Sequence, residues 1–163
     1  MSPYRLPLLL TLLLSANAFA GDATFRQPRP NLITAGQPSA QQLRHAAANG
    51  VTTVIDLRRP DEDRGYDEAA LAEQLGLRYV RLPIAGASDI TEANARTLHR
   101  LLKQDDGKTL LHCASSNRAG ALLSVVDARI NGASAEDALT LGRDAGMTSL
   151  EPAVRAALET PTP

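Results

Sequence analysis

The sequence contains few residues that could cross-link the chain or stack aromatic rings. Its 163 residues include one cysteine, no tryptophan, three tyrosines and two phenylalanines. One cysteine cannot form an internal disulfide, and the core must be built from Leu, Val, Ile and Ala. The 17 basic and 18 acidic residues nearly cancel, leaving a net charge of −1. We therefore predict no nucleic-acid partner, because the basic excess that attracts a polyanion is absent.

The one long apolar run lies at the N-terminus. Arg5 precedes an apolar stretch from Leu6 to Leu14, and Ala18 and Ala20 form a pattern typical of signal-peptide cleavage. We predict that residues 1–20 are a signal peptide and that the mature protein is exported, to the periplasm or the medium. No later segment reaches the roughly 20 apolar residues that a membrane-spanning helix needs. We therefore expect a soluble mature protein that begins at Gly21.

Apolar strands alternate with capped helices through the rest of the chain. We expect an irregular lead-in over residues 21–30 and one domain over residues 31–160. Predicted strands cover 32–35, 51–56, 77–83 and 108–112, and helices are predicted to begin at Ser39, Asp67, Thr91, Arg118 or Ala119, Ser134 and Leu150. The alternation indicates βαβ crossovers. It predicts a three-layer α/β fold in which helices flank a central, mainly parallel sheet.

One loop of this predicted sheet carries the chemistry. Ligands of such folds bind beyond the carboxyl ends of the strands, where loops after Asp56, Leu82 and His112 are expected to meet. The strand "KTLLH" runs directly into Cys113, and Arg118 follows after four residues. A helix N-terminus attracts anions and favours a thiolate, and an arginine fork can hold two oxygens of an oxyanion. The alternative, a small buried cysteine beside a core histidine, stays open.

The segment "HCASSNRAGAL" resembles the cysteine-dependent phosphatases of the dual-specificity type. It is most similar to their small bacterial relatives, the DSP-PTPase-like or β-lactamase-hydrolase-like (DUF442) domains, and "ITAGQPSAQQLRHAAANGVTTVIDLR" and "RYVRLPI" extend the resemblance from about residue 31 to 130. The resemblance implies that Cys113 attacks phosphorus while Arg118 and the loop amides hold the oxygens. The residues implied to contact or line the substrate site are His112, Ala114, Ser115, Ser116, Asn117 and Arg58.

Three departures from that family pattern bear on turnover. The loop has four residues between Cys113 and Arg118, where the familiar phosphatase loop has five. The small bacterial relatives commonly share the shorter loop, and so do single-domain rhodanese sulfurtransferases. Ser116 stands where the family has glycine, a position that tends to need a positive φ. Ala119 replaces the Ser or Thr that eases thiolate departure, a role that Ser115 or Ser116 would have to take.

The reaction also needs a general acid. The family places an aspartate after the "YVRLP"-like strand, which implies Asp89, although an aspartate there can equally cap the following helix. Asp61, Glu62 and Asp63 are the other carboxylates that could serve. No spacing of His, Cys and Asp indicates a metal site, and we expect no cofactor.

Three functions remain open on the sequence. The first is an exported phosphatase acting on a phosphorylated substrate, with phosphotyrosine as one candidate. The second is a rhodanese-like sulfurtransferase carrying a persulfide on Cys113. The third is a catalytically weak module that binds an anion or a phosphopeptide. The sequence favours the first and leaves the substrate and the oligomeric state open.

Overall fold

The computed structural model describes residues 23–104 and 106–160. The predicted signal peptide, residues 1–20, lies outside these residues. The strands are β1 (Arg26–Arg29), β2 (Leu32–Ala35), β3 (Val51–Asp56), β4 (Arg78–Arg81) and β5 (Lys108–His112). The helices are α1 (Ala40–Ala48), α2 (Glu68–Gln74), α3 (Glu92–Lys103), α4 (Asn117–Arg129), α5 (Ala135–Asp144) and α6 (Glu151–Glu159), with a short 3₁₀ turn at Ala87–Asp89.

The five strands form one sheet in the order β1-β2-β5-β3-β4. β2, β5, β3 and β4 pair in parallel, and the edge pair β1–β2 is antiparallel. The predicted α/β architecture with a mainly parallel sheet is therefore confirmed. The expectation of an irregular lead-in over 21–30 is wrong for residues 26–29. Proline-containing "RQPR" still pairs with β2, because a strand at the sheet edge tolerates a residue that cannot donate to the ladder.

Each face of the sheet buries a separate apolar cluster. Along β5, Leu111 faces a cluster with α3, α4, α5 and α6, while Leu110 faces a second cluster with α1 and α2. Neighbouring side chains of a strand point to opposite faces. Because both faces of β5 are covered, residues 109–112 are all buried, and apolar and polar residues do not alternate along the strand. These clusters make the sheet the middle of three layers.

Helix α4 is the central helix of its layer. Its residues 119–126 are all buried, which explains why its sequence is apolar around the whole circumference. It packs against α5 at two glycines: a Cβ at Gly120 would lie 2.5 Å from the amide nitrogen of Met147, and a Cβ at Gly142 would lie 3.0 Å from the carbonyl oxygen of Gly120. The two backbones therefore approach closely, and this brings the end of α5 to the start of α4.

Helix starts follow the local signals in the sequence. Ser39 and Gln42 form the expected reciprocal capping box of α1, and Thr91 and Ser134 accept first-turn amides of α3 and α5. Gly50 and Gly132, which follow α1 and α4, adopt φ of 89° and 78° as the turn residues there require. Within the described part of the chain, no helix combines the length and the apolarity that a bilayer crossing requires.

Candidate active site

Four loops meet at one edge of the sheet, because the carboxyl ends of the four parallel strands lie together. The expected junction of the loops after β3, β4 and β5 is joined by the loop after β2. The Gln37 amide donates to the Ala114 carbonyl at 3.2 Å, and the Ile84 amide donates to the Leu57 carbonyl at 2.9 Å. Gly36 pairs with Ser115 in an isolated bridge. A Cβ at Gly36 would lie 3.0 Å from the Ala114 oxygen, so glycine permits this close approach.

Cys113 is the first residue after the central strand β5. It is fully buried, whereas Ala114 and Ser115 are exposed. Four residues further on, α4 begins to pack into the core. The position matches the expectation of a cysteine at the carboxyl end of a central strand.

The N-terminus of α4 has no side-chain cap. Its N-cap, Ser116, makes no side-chain hydrogen bond to the first turn, whereas the N-caps of α1, α2, α3 and α5 each accept one there. The first-turn amides of any helix lack intrahelical acceptors. Here they surround the point where the cysteine loop turns into the helix, and the helix dipole adds to their attraction for an anion.

Ser116 adopts the backbone conformation predicted for this position. Its φ is 70°, and it is the one non-glycine residue with a positive φ among the described residues. Its hydroxyl donates to the Ala145 carbonyl at 2.7 Å, so this hydroxyl is engaged. Ser115 is exposed and borders two cavities. Of the two serines expected to compensate for Ala119, Ser115 is the one whose side chain faces the open space.

Arg118 is held by two partners from distant parts of the chain. Its Nη1 and Nη2 donate to the two carboxylate oxygens of Glu62, each at 2.6 Å, and Nη1 also donates to the Ile84 carbonyl at 2.8 Å. The pKa of Arg118 is raised above its usual range, first by the hydrogen bonds to Glu62; burial opposes this and the nearby Cys113 adds to it. The guanidinium is therefore fixed next to the sulfur.

Glu62 is the partner that sequence reasoning identified only as one of three alternative acids. Its pKa is lowered, chiefly by the hydrogen bonds from Arg118, so it remains ionised and is a poor proton donor. Nothing in the charged run "RRPDEDRG" indicates that one of its carboxylates pairs with an arginine 56 positions later in the chain.

Asp89 lies at the end of the 3₁₀ turn after β4. Its carboxylate accepts the Ala85 amide at 2.6 Å, and Asn94 donates to its carbonyl at 2.8 Å. Ala85 and Gly86 of the same loop line a cavity of about 420 Å³ together with Arg118. The loop borders the candidate site, while in this conformation the carboxylate is engaged within its own turn.

Arg58 and His112 lie beneath the site rather than in it. Arg58 is fully buried and donates to both carboxylate oxygens of Asp56, at 2.9 and 3.0 Å, and to Glu68. His112 is also fully buried, with Nε2 3.0 Å from a Glu68 oxygen. This corrects the expectation that both residues line the substrate site. Asp56 and Glu68 draw them to the α2 side of the sheet, because a buried charge must be paired.

These residues form a charged network under the loop. Burial would raise the pKa of Asp56, but hydrogen bonds from Arg58, the proximity of His112 and a hydrogen bond from Tyr79 hold it far below its usual range. Burial and the bond to Asp56 raise the pKa of Tyr79 to about 12. Asp56, Glu68 and His112 form the one group with metal-ligand spacing among residues 23–104 and 106–160. Arg58 supplies the cation between the two carboxylates, so these residues form an ion-pair network.

Two cavities flank Ser115. The first, of about 640 Å³, is lined by the exposed loop residues Ala114 and Ser115 and by the segment after β2; its other lining residues include Arg26, Asp63 and Tyr66. The second is the 420 Å³ cavity that contains Arg118 and Glu62. Glu62 lines the second cavity and Asp63 the first, and Ser115 borders both.

Comparisons with known proteins match most of the chain. A family model described as DSP-PTPase phosphatase fused to NAD+ kinase matches residues 16–154. The chain is 29% identical over 113 residues to the beta-lactamase hydrolase-like protein of Agrobacterium fabrum, a match that covers 65% of this chain and 26% of that relative. The match thus spans about a quarter of the relative's length.

Solved structures share the fold. A proposed phosphatase from Neisseria meningitidis superposes with a TM-score of 0.68 at 21% identity, over 81% of this chain and 94% of that one. A DUF442 protein from Shewanella putrefaciens gives 0.67 at 22%, over 85% and 91%. TpbA from P. aeruginosa, as a cysteine-to-serine variant in complex with pTyr, gives 0.64 at 20%, over 86% and 90%.

Proposed function

Since the chain belongs to the DSP-PTPase phosphatase family, we propose that it hydrolyses a phosphoester through a phosphocysteine on Cys113. The observation that carries the proposal is the orientation of Arg118 beside this cysteine, at a helix N-terminus without a side-chain cap. Backbone amides of residues 114–118 would bind the phosphoryl oxygens.

The hydrogen-bond inventory of Arg118 supports a ligand on one edge. A guanidinium has five N–H groups. Glu62 takes one from Nη1 and one from Nη2, and the Ile84 carbonyl takes the second from Nη1. This leaves the Nε–Nη2 edge without a carbonyl or carboxylate acceptor among the described residues. Such an edge matches two oxygens of a phosphoryl group, so Glu62 orients the arginine without occupying the edge that a phosphate needs.

The proposed chemistry has two displacements. The Cys113 thiolate forms an S–P bond as the P–O bond to the leaving group breaks, and Asp89 gives its proton to the departing oxygen. Water then attacks phosphorus, its proton passes to the Asp89 carboxylate, and the P–S bond breaks to release phosphate and the thiolate. Asp89 would have to leave the Ala85 amide to reach the substrate. Its position on a loop that lines the Arg118 cavity supports this role.

The cavity of about 640 Å³ is where we place the organic part of the substrate. It shares Ala114 and Ser115 with the cysteine loop and exceeds what a phosphate alone would fill. Tyr66 gives it an aromatic wall, and Arg26 a cation. An aromatic ring such as that of phosphotyrosine suits this lining, so aryl phosphates are the first substrates to assay.

One experiment separates the three functions left open by the sequence. Purified protein is mixed with phosphotyrosine or with thiosulfate, quenched within one turnover, and the Cys113 peptide is weighed. A phosphoryl adduct together with released phosphate supports the proposal. A persulfide adduct with sulfur transfer to cyanide would establish the sulfurtransferase instead, and phosphate binding with neither adduct would indicate the binding module.

We also propose that the protein acts after export. The signal pattern that ends at Ala20 supports this, and N-terminal sequencing of the protein from the periplasm or medium tests it. A chain that still begins at Met1 would contradict it.

A further inference from the structure

The backbone of Ser116 is strained, and one hydrogen bond anchors it. A positive φ is unfavourable for a residue with a side chain, and Ser116 has φ 70°. Its buried hydroxyl donates to the Ala145 carbonyl at 2.7 Å, at the C-terminal end of α5. The anchor therefore joins the cysteine loop to a residue 29 positions later in the chain.

Gly146 forms the space that receives this serine. It has φ 101°, and a Cβ there would lie 2.6 Å from the Ser116 Cβ and 2.8 Å from its Oγ. Any side chain at 146 would thus collide with Ser116. Serine at 116 and glycine at 146 are complementary in shape.

Asn117 makes a second connection to the same region. Its side-chain oxygen accepts the amides of Thr148 at 2.8 Å and Leu150 at 3.3 Å, and its amide nitrogen donates to the Ser149 hydroxyl at 2.8 Å. Leu150 is the N-cap of α6 and cannot cap it with its own side chain. The first residue of α4 thus supplies the acceptor that the start of α6 lacks.

We infer that residues 145–150, which we call the α5–α6 turn, position the cysteine loop for anion binding. The turn holds two consecutive residues of the loop, Ser116 by its hydroxyl and Asn117 by its amide. Those residues carry backbone amides of the anion site, and the next residue is Arg118. The turn therefore fixes the loop in the shape that binds phosphate, and Ser116, Asn117 and Gly146 are positioning residues.

The inference rests on the proposed anion site. The quantity to measure is therefore the affinity for inorganic phosphate, detected through the ¹⁵N chemical shifts of the amides of residues 114–118. Ser116→Ala keeps the strain and removes the anchor. We expect phosphate binding to weaken roughly five- to tenfold, as for the loss of one buried hydrogen bond. Asn117→Ala removes three contacts and should weaken binding further.

Gly132 provides a matched control for Gly146. Both have a positive φ, but a Cβ at Gly132 would meet nothing within 4 Å. Gly132→Ala should lower the Tm and leave phosphate affinity unchanged. Gly146→Ala should lower both, and adding Ser116→Gly should restore part of the lost affinity by removing the atoms that collide.

Equal phosphate affinity in Gly146→Ala and Gly132→Ala would overturn the inference, as would wild-type affinity in Ser116→Ala. If Gly146→Ala does not fold, the Ser116 and Asn117 variants decide the question. If the wild type binds phosphate but hydrolyses no phosphoester, only the proposed function is refuted. The phosphate affinities of the variants then still decide whether the α5–α6 turn positions the loop. A wild type that binds no phosphate overturns both.

Discussion

Replacing Glu62 by glutamine tests whether this carboxylate orients Arg118 or competes with the substrate for it. Glutamine keeps the size of the side chain but presents an NH₂ donor to one of the two guanidinium donors. It therefore removes one of the two 2.6 Å contacts and the negative charge. The Ile84 carbonyl remains as the other partner.

The size of the effect follows from these contacts. A hydrogen bond to a charged group contributes about 1.5–3 kcal/mol. The Arg118 and Glu62 side chains are 13% and 24% exposed, which places the loss near the middle of that range. A loss of about 2 kcal/mol in transition-state binding corresponds to a roughly 30-fold lower kcat/KM.

The assay is steady-state hydrolysis of an aryl phosphate, with phosphate affinity measured in parallel. Asp61→Asn is the matched control, because Asp61 lies on the same loop but pairs with the exposed Arg59. We expect the control to change kcat/KM less than twofold. Because the pKa of Glu62 lies below its usual value, the ion pair persists as the pH falls through 5, and the wild type should keep the advantage there.

Tighter phosphate binding than in the wild type, or a higher kcat/KM, in Glu62→Gln would contradict an orienting role for Glu62. Either result would mean that the carboxylate occupies the place of the phosphate, and that the Nε–Nη2 edge is not the binding edge. An unchanged kcat/KM would show that the Ile84 carbonyl alone orients the arginine.

Four further substitutions test the site and the charged network beneath it. Cys113→Ser should abolish hydrolysis but leave the circular dichroism spectrum and phosphate binding intact; a Cys113→Ser variant with nearly wild-type activity would show that Cys113 is not the nucleophile. Arg118→Lys should lower kcat/KM at least a hundredfold, since a lysine cannot make the two-pronged contact. Asp89→Asn should slow the hydrolysis of alkyl and tyrosyl phosphates far more than that of nitrophenyl phosphate, because nitrophenolate leaves without being protonated. Equal losses on both kinds of substrate would show that Asp89 has only a capping role. Asp56→Asn should cost about 3–5 kcal/mol of unfolding free energy at pH 7. Because the pKa of Asp56 is lowered in the fold, its contribution to the unfolding free energy is complete above about pH 4 and is lost at lower pH. In urea unfolding, the wild type should therefore lose this stability as the pH falls, and the Asp56→Asn variant should not.

The sequence predicted those elements that depend on local patterns. "VTTVID" is rich in β-branched residues, and "KTLLH" carries two consecutive leucines. Both segments have the length of a strand and form the central strands. Ser39 and Gln42 predicted a helix start because their reciprocal bonds span only three residues. The positive φ of Ser116 followed from the family's glycine at that position. The edge strand β1 was missed because "RQPR" has no strand pattern of its own and forms only by pairing with β2.

The same limit explains the errors at the site. Arg58 follows the end of a strand. From the sequence alone, an arginine at such a position can equally well contact a ligand, solvent or a buried carboxylate. Its burial depends on Glu68, ten positions later, and on Asp56 within the sheet. The turn between α5 and α6 contacts Ser116 and Asn117 across some 30 residues, a distance over which no sequence pattern predicted a contact.

The sequence by itself therefore determined the order of the helices and of strands β2 to β5, the mainly parallel sheet, and the placing of Cys113 and Arg118 around a helix N-terminus. All of these rest on periodicity, capping and chain connectivity, which act over a few residues. Only the tertiary structure decided which carboxylate holds Arg118 and which turn holds the cysteine loop. Glu62 lies 56 positions before Arg118, and Ala145 lies 29 positions after Ser116. Such contacts arise because the sheet gathers its loops at one edge and Gly120 and Gly142 let α5 approach α4, so no local pattern encodes them.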